Sequence, residues 1–257
     1  MGNIIRLDRS VIPACDFDLK TFRQVLQATG DLDKVGGYKI GPALTGRPGY
    51  DKVVEIAKEH TDKPLIFDPQ KWATDIPDTA MKLMEPVKQS GIDTIILFPQ
   101  SGPITQHKWI KAAQELELGV IVGGEMTHPR YLGNDLGNPK GEDYDKIFHE
   151  LGIGGKLQGY IRESAPDDIY ELAARMGVTN FVVPGNKPDR IEHYRKLIED
   201  IVGEGNASFF APGFVAQGGN LNEGAKAAGE SFHGIVGRGI YKAENMRAAA
   251  LELTQKL

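Results

Sequence analysis

Short apolar runs alternate with longer amphipathic stretches along the whole chain. There are eight such runs, most of which end in Gly, Pro or Asp: VIPAC (11–15), GGYKIG (36–41), PLIFD (64–68), DTIILFP (93–99), GVIVGG (119–124), NFVVPG (180–185), ASFFAPG (207–213) and HGIVGRG (233–239). Runs this short with such boundaries are typical of parallel strands that are buried on both faces.

Helical periodicity dominates the stretches between these runs. In 19–30, Phe22, Val25 and Leu26 fall on one face of a helix, and Gly30 suits its C-terminal end. We expect Pro86 to disturb the third helix. The predicted helices cover 19–30, 50–60, 78–91, 104–117, 167–177, 189–205, 221–231 and 244–257.

Eight strand–helix units within 257 residues predict a (β/α)8 TIM barrel of the α/β class, as a single domain over 1–257. An open doubly wound sheet is the main alternative, but no GxGxxG motif follows the first strand, which disfavours its dinucleotide-binding form. The segment at about 127–165 is longer than ordinary connections, so we predict a long loop excursion with a short helix in DYDKIFHEL.

Composition narrows the class of protein. The chain is 40% hydrophobic and 25% charged, with a net charge of −5, which does not favour nucleic acid or an anionic membrane as partner. The single cysteine, Cys15, excludes an internal disulfide and suits a reducing compartment. Neither a signal peptide nor a membrane span is recognisable. We therefore expect a soluble, cytoplasmic protein.

The third apolar run leads into PLIFDPQKWATDIPDTA, which places Asp68, Lys71 and Asp75 close together in sequence. If a helix has begun by Lys71, then Lys71 and Asp75 form an exposed i, i+4 pair worth only about 0.3–0.5 kcal/mol. Otherwise the three residues form a carboxylate–ammonium–carboxylate array in which each charge shifts the proton affinity of the others. The stretch by itself leaves both interpretations open.

Other charged or polar residues also fall at strand ends, where TIM barrels carry their chemistry. Lys39 lies inside an apolar run, which is costly unless the ammonium meets an anion. Asp16 follows the first strand and suits either a sugar hydroxyl or the N-cap of the next helix. Thr127 offers a hydroxyl beside His128, but no second His or Cys at ligand spacing supports a metal site there.

The last two runs carry the strongest functional signal. TIM barrels often bind phosphate between the loops that follow strands seven and eight. In APGFVAQGGN, three glycines permit close backbone approach, and in IVGRGIY, Arg238 is flanked by glycines and can hold phosphate with two hydrogen bonds. Tight turns with a solvated arginine are the alternative. We predict a phosphate site.

Seven segments, in the right order and spacing, resemble motifs of the orotidine 5′-phosphate decarboxylase family. They are PACDFD, YKIGPAL, DIPDT, EMTHP, FVVPGNKPDRI, PGFVAQGG and VGRGIY. The resemblance implies a barrel homodimer with shared active sites. It also implies loss of CO2 from orotidine 5′-phosphate to give UMP, the last step of de novo pyrimidine synthesis, without a cofactor or a metal.

The resemblance also implies a role for each matching residue. Asp68 and Asp75 would be the paired carboxylates, with Asp75 supplied by the partner subunit. Lys71 would protonate C6 of the product carbanion, and Lys39 would hold the ribose and the charge array. Substrate contacts are implied for Asp16 and Thr79 (ribose), Thr127 (pyrimidine), Gln217 and Arg238 (phosphate), and for Pro212, Gly218 and Gly237.

One departure from the family pattern keeps other functions open. The family spacing is D-x-K-x-x-D, whereas this chain has D-x-x-K-x-x-x-D. A bulge or a widened turn can absorb the extra residues; otherwise the array is altered. The alternatives are a Mg²⁺-dependent sugar-phosphate decarboxylase or aldolase of the same superfamily, with Glu125 and Asp68 as ligands, and a barrel that binds UMP without turnover.

Overall fold

Eight parallel strands close into a barrel in the computed structural model, which describes residues 4–137, 143–153, 157–214 and 219–257. Each strand pairs with the next in sequence, and the last pairs with the first. The predicted TIM barrel is confirmed, and the open sheet is excluded. The strands are β1 (Arg9–Cys15), β2 (Tyr38–Ile40), β3 (Leu65–Trp72), β4 (Thr94–Leu97), β5 (Gly119–Gly123), β6 (Asn180–Val182), β7 (Ser208–Pro212) and β8 (Phe232–Val236).

A helix occupies each of the eight stretches that helical periodicity indicated. The short helix expected in DYDKIFHEL is also present, as α6, and two further short helices, α2 and α10, were not predicted. The helices are α1 (Leu19–Thr29), α2 (Pro42–Thr45), α3 (Tyr50–Lys58), α4 (Ala80–Gln89), α5 (Pro103–Glu115), α6 (Tyr144–Glu150), α7 (Ala165–Arg175), α8 (Pro188–Val202), α9 (Leu221–Ala228), α10 (Arg238–Tyr241) and α11 (Met246–Gln255). Of the helices in the described ranges, none has the length and apolarity that crossing a membrane requires.

The core has two layers, as expected for a barrel surrounded by helices. The outer layer packs helix residues such as Phe22 and Trp109 against the outward faces of the strands. The inner layer fills the barrel with alternate strand residues, which include Ile66 and Ile96. Because side chains alternate along a strand, two residues beyond Ile66 the chain again points inward, at Asp68. The inward-facing layer at the carboxyl ends of the strands is therefore polar.

Strand β3 differs from its prediction in a way that matters for function. The sequence indicated a strand that ends at Asp68, but β3 continues to Trp72, and its register with β4 shifts between Phe67 and Trp72. Gln70 and Lys71 both have positive φ angles, of 57° and 80°. The irregularity takes up the additional residue between Asp68 and Lys71, as a bulge does.

No helix has begun by Lys71, so the interpretation of Lys71 and Asp75 as an exposed helical ion pair is wrong. Helix α4 begins only at Ala80, after a 3₁₀ turn over Pro77–Thr79. Positive φ angles at residues other than glycine are uncommon and cluster at functional sites. The charged residues of this stretch therefore lie on an irregular strand end rather than on a helix face.

Candidate active site

A cavity of about 180 Å³ opens at the carboxyl ends of the strands. Its walls combine apolar barrel residues with the charged side chains predicted at the ends of β2, β3 and β5. The lining residues are Lys39, Asp68, Gln70, Lys71, Ile96, Phe98, Glu125, Met126, Thr127, Val182, Pro212 and Ile235. Five of the predicted site residues thus meet in one place: Lys39, Asp68, Lys71, Thr127 and Pro212.

Lys39 and Asp68 form a buried ion pair at the base of this cavity. Their residues are 9% and 8% exposed, and Lys39 Nζ lies 2.8 Å from Asp68 Oδ2. Burial favours a raised pKa for Asp68, but the ammonium groups of Lys39 and Lys71 outweigh burial and lower this pKa below its usual range. Asp68 is therefore a carboxylate at neutral pH.

Lys71 is half-buried and faces the cavity, where Nζ lies 4.8 Å from the centroid of the Phe98 ring. Within the described ranges, no acceptor lies at hydrogen-bonding distance from this Nζ. Burial lowers the pKa of Lys71; Asp68 opposes this effect, and Lys39 adds to it. A lysine with a lowered pKa gives up its proton more readily than an ordinary lysine does.

Aromatic packing holds Lys71 on the inward side of the bulge. Trp72, the next residue, packs edge-on against Phe67 and Trp109, with ring centroids 5.6 and 5.7 Å away. The carbonyl of Trp72 accepts a hydrogen bond from the N–H of Phe98, at 2.8 Å. Since Trp72 is anchored on the outer side, its predecessor is directed toward the barrel axis.

Asp16 lies at the rim, and the structure tests one of its two expected roles, the N-cap of α1. It does not cap α1, because Asp18 does so by accepting a hydrogen bond from the N–H of Thr21. Instead, Asp16 Oδ1 accepts from the N–H of Ala43, at 2.9 Å, and Oδ2 accepts from Gln70 Nε2, at 3.3 Å. The N-cap interpretation for α1 is therefore wrong.

Asp75 and Thr79 lie apart from this cluster. Asp75 is exposed, and its Oδ1 accepts a hydrogen bond from the N–H of Ile76, at 2.8 Å. Thr79 Oγ1 donates to the carbonyl of Ile76, at 2.9 Å. Neither residue lines the cavity as the described residues define it. Within one chain, the predicted carboxylate–ammonium–carboxylate array therefore lacks its second carboxylate.

The predicted phosphate end is formed by the loops that follow β7 and β8, which are adjacent because Pro212 pairs with Ile235. Gly213 has a φ of 108°, and its carbonyl accepts from the N–H of Gly219, at 3.1 Å. A Cβ atom on Gly219 would lie 2.7 Å from this carbonyl oxygen, so the close approach requires glycine. Gln217 and Gly218, predicted here, lie outside the described residues.

Gly237 and Arg238 lie where the second of these two loops begins. Gly237 directly follows β8, and Arg238 is the first residue of α10, with an exposed side chain. Neither residue belongs to the cavity lining formed by the described residues. The structure thus places the predicted arginine beyond the strand end, at the outer part of the site.

Sequence reasoning missed a second charged cluster, around Glu125. This residue is 3% exposed, and its carboxylate accepts hydrogen bonds from Lys187 Nζ at 2.8 Å, from Arg190 Nε at 2.9 Å and from the Tyr194 hydroxyl. Burial favours a raised pKa, but these three donors lower the pKa of Glu125. The three donors lie on one face of α8 and the residue before it, a spacing that could have signalled them.

This cluster connects the ends of β5 and β6 beneath Thr127. The carbonyl of Thr127 accepts from Asn186 Nδ2, at 3.0 Å, and Lys187 Nζ also donates to the carbonyl of Met126, at 3.3 Å. In the described parts of the chain, no three His, Cys, Asp or Glu side chains are grouped so that they could hold a metal ion. The hydrogen bonds of Glu125 connect the end of β5 to α8 and to the residue that precedes α8.

Comparison with known proteins agrees with this geometry. A model described as "Orotidine 5'-phosphate decarboxylase / HUMPS family" matches residues 14–253. The chain therefore belongs to this family, as its motifs predicted.

Two curated relatives carry the name orotidine 5′-phosphate decarboxylase. The protein of Methanosarcina mazei is 28% identical over 223 residues, which cover 87% of this chain and 84% of the relative. The protein of Methanosarcina barkeri is 29% identical over 241 residues, covering 93% and 91%.

Solved structures share the fold. Orotidine 5′-monophosphate decarboxylase of Methanocaldococcus jannaschii, complexed with the inhibitor BMP, superposes with a TM-score of 0.73 at 23% identity, covering 97% of this chain and 98% of that one. The decarboxylase of Pyrococcus horikoshii OT3 gives a TM-score of 0.69 at 24% identity, covering 96% and 98%.

Proposed function

We infer that this protein is a carboxy-lyase that converts orotidine 5′-phosphate to UMP and CO2. The observation that carries this inference is the Lys71 ammonium in the cavity of a chain of this family. It stands beside the buried Lys39–Asp68 pair without a hydrogen-bond acceptor of its own among the described residues. Such an ammonium can interact with a reacting atom of the substrate, because it is not used in a hydrogen bond that stabilises the fold.

The proposed reaction needs only this arrangement and the substrate. The bond between C6 and the carboxylate breaks, CO2 leaves, and the electron pair stays on C6. The Lys71 ammonium stabilises this charge because it is already in place, and its proton then passes to C6 to give UMP. Asp68 favours the charged form of Lys71, since its carboxylate opposes the effect of burial on the lysine pKa.

The remote end of the substrate would supply binding energy. We propose that Asp16 binds the ribose, that Thr127 contacts the pyrimidine, and that Gln217 and Arg238 hold the phosphate in the loops after β7 and β8. Binding far from the reacting carbon can orient the ring and help to exclude water.

The arginine assignment has a direct test. Arg238→Ala should weaken UMP binding by roughly ten- to a hundredfold, since a hydrogen bond to a charged group is worth about 1.5–3 kcal/mol. Uridine lacks the phosphate, so its affinity should not change. Isothermal titration with both ligands measures the contrast, and equal losses would remove Arg238 from the phosphate site.

The magnesium-dependent alternative required Glu125 and Asp68 as ligands. Both carboxylates are already engaged by cations, Glu125 by Lys187 and Arg190 and Asp68 by Lys39. This argues for the cofactor-free reaction. The deciding experiment is a spectrophotometric assay of orotidine 5′-phosphate turnover with and without EDTA. Equal rates support the proposal, and loss of activity on chelation would favour the metal-dependent enzyme.

The same assay tests the barrel that binds without turnover. If the unmutated protein binds UMP but leaves orotidine 5′-phosphate intact, the binding-only function is correct. Detection of UMP and CO2 in equal amounts excludes it.

We propose that the protein is a homodimer in which Asp75 and Thr79 complete the site of the partner subunit. In support, both residues lie outside their own cavity on an exposed segment. This segment also presents Ile76, 62% exposed, and Ile104 on α5 is 70% exposed. Exposed apolar side chains of this size are suited to an interface.

Mixing two inactive variants tests the shared site. In a mixed dimer of Lys71→Ala and Asp75→Asn chains, one site carries both changes and the other carries neither. Random pairing of subunits makes half of the dimers mixed, so about a quarter of the unmutated activity should return. Each variant alone serves as the control. No recovery, with dimers verified by light scattering, would place Asp75 in the site of its own chain.

A further inference from the structure

Gln70 is one of two residues, with Pro69, that separate Asp68 from Lys71, where the family spacing has a single residue. Its backbone N–H donates to Asp68 Oδ1, at 3.2 Å, and its side-chain amide donates to Asp16 Oδ2, at 3.3 Å. The residue also lines the cavity. Gln70 thus contacts two carboxylates, Asp68 through its backbone and Asp16 through its side chain, directly beside the proposed proton donor.

We propose that Gln70 is a substrate-binding residue that recognises the ribose hydroxyl groups together with Asp16. The proposal rests on the proposed function and adds a residue to it. A carboxylate only accepts hydrogen bonds, whereas an amide both donates and accepts. Nε2 uses one N–H on Asp16, which leaves a second N–H and the carbonyl oxygen. No described residue hydrogen-bonds to this oxygen.

The pair therefore presents donors and acceptors side by side at the cavity rim, which suits two neighbouring hydroxyl groups. Asp16 is itself held in place, because its other oxygen accepts from the N–H of Ala43, at 2.9 Å. A Cβ atom on Gly41 would lie 2.4 Å from this oxygen, so the carboxylate packs closely on the backbone at the start of α2. The pair is thus positioned before a ligand arrives.

The backbone conformation of Gln70 does not explain why the residue is a glutamine. A φ of 57° favours glycine, and asparagine is the next best tolerated residue. The hydrogen bond to Asp68 uses only the backbone N–H, so a glycine would preserve it. A long amide side chain at such a position is not explained by the turn, whereas its contact with Asp16 in the cavity gives it a role.

The test compares UMP with 2′,3′-dideoxy-UMP, which lacks both ribose hydroxyls. Gln70→Gly removes the side chain and keeps the backbone hydrogen bond in a conformation that glycine prefers. We expect UMP affinity to fall about three- to tenfold, the size of one neutral hydrogen bond, with no change for the dideoxy nucleotide. Isothermal titration measures both, and thermal unfolding confirms that the variant is folded.

Two matched variants sharpen the test. Gln70→Asn tolerates the positive φ but is one methylene shorter, so we expect the same loss as for glycine. Gln70→Glu keeps the shape but places a second carboxylate against Asp16, so the loss for UMP should be at least as large. A variant that binds UMP as tightly as the unmutated protein, or that loses both nucleotides equally, overturns the role of Gln70.

Failure of the proposed function would look different. If the unmutated protein binds neither nucleotide and does not consume orotidine 5′-phosphate, both proposals are refuted. If it binds UMP without turnover, only the decarboxylase is refuted, and the two titrations still decide the ribose contact. If the unmutated protein turns over orotidine 5′-phosphate but Gln70→Gly loses equal affinity for UMP and for the dideoxy nucleotide, only the ribose contact is refuted. Gln70 would then contribute only to the backbone conformation of the bulge.

Discussion

Two buried carboxylates that line the same cavity, two strands apart in the barrel, have similar electrostatic surroundings but different hydrogen bonds. Asp68, within β3, faces Lys39 and Lys71, and Glu125, after β5, faces Lys187 and Arg190. In both cases burial favours a raised pKa, and the neighbouring cations lower it instead. By charge alone, the two clusters are nearly equivalent.

Their hydrogen bonds separate them. Both cations beside Glu125 donate to it, and the Tyr194 hydroxyl adds a third bond. Of the two cations beside Asp68, only Lys39 donates to it, whereas Lys71 Nζ lies over the ring of Phe98. A satisfied polar network makes a structure rigid, but a cation without an acceptor retains its capacity to interact. The comparison shows that charge alone does not identify a reactive cluster. What distinguishes it is a charged group, here the Lys71 ammonium, that has no hydrogen-bond partner among the described residues.

The backbone shows the same contrast. Lys187 directly precedes α8 and has a negative φ angle. Arg190 lies in the first turn of α8 and is helical. Lys71 sits on a bulge with a φ of 80°. Such strain persists only where the surrounding structure compensates for it, here through the packing of Trp72.

The largest expected effect is that of Lys71→Ala on turnover. Loss of both the stabilising charge and the proton donor should reduce kcat by about 10⁴-fold. UMP affinity should change only modestly, because the nucleotide is held mainly by its ribose and phosphate. Steady-state kinetics and UMP titration measure the two effects.

The matched control is the lysine of the other cluster, Lys187→Ala. It should affect stability more than kcat, since it supports the wall rather than the reaction. A similar kcat loss in both variants would contradict the distinction between the clusters.

An intermediate effect is expected for Glu125→Gln. This change keeps the shape but weakens three hydrogen bonds to a buried group, and should lower the free energy of unfolding by about 2 kcal/mol. Urea denaturation measures the difference. Asp68→Asn serves as the comparison, and should lower kcat more than Glu125→Gln does. An unchanged midpoint for Glu125→Gln would show that the cluster is not a structural support.

The smallest effect concerns alkaline pH. Lys71 must be protonated to act, and its pKa is lowered by burial, so kcat/KM should fall at a pH below the 10.4 or so of an ordinary lysine. Initial rates at low substrate concentration, measured between pH 7 and 10, give kcat/KM on the alkaline side of the pH profile. This parameter does not depend on product release. A constant kcat/KM across this range would contradict the role of Lys71.

The contribution of Lys71 to the free energy of unfolding should change with pH in the direction opposite to kcat/KM. Because the folded pKa of Lys71 lies below its unfolded value, the unfolded chain binds more protons in that window. The contribution of Lys71 to stability therefore rises with pH there. The difference in unfolding free energy between the unmutated protein and Lys71→Met isolates this contribution from other titrating groups. A difference that does not vary with pH would show that burial leaves Lys71 unperturbed.

Much of the molecule was predictable because it depends on local patterns. Apolar runs, most of which end in Gly, Pro or Asp, predicted all eight strands, and the cost of burying Lys39 predicted that it meets an anion, which is the carboxylate of Asp68. The bulge after Asp68 was only one of several possibilities, because positive φ angles at Gln70 and Lys71 have no signature in residue type. Nor could charge alone foresee that Glu125 is saturated, since its partners lie more than 60 residues away.

The order of apolar and amphipathic segments determined by itself the barrel, and the resemblance of seven sequence segments to known motifs indicated the family. Only the tertiary structure decided which charges meet, which hydrogen bonds stay open and which carboxylate is left outside its own cavity. The physical reason is that periodicity and burial act between neighbours in sequence. The pairing of charges depends instead on distances that exist only after the barrel has closed.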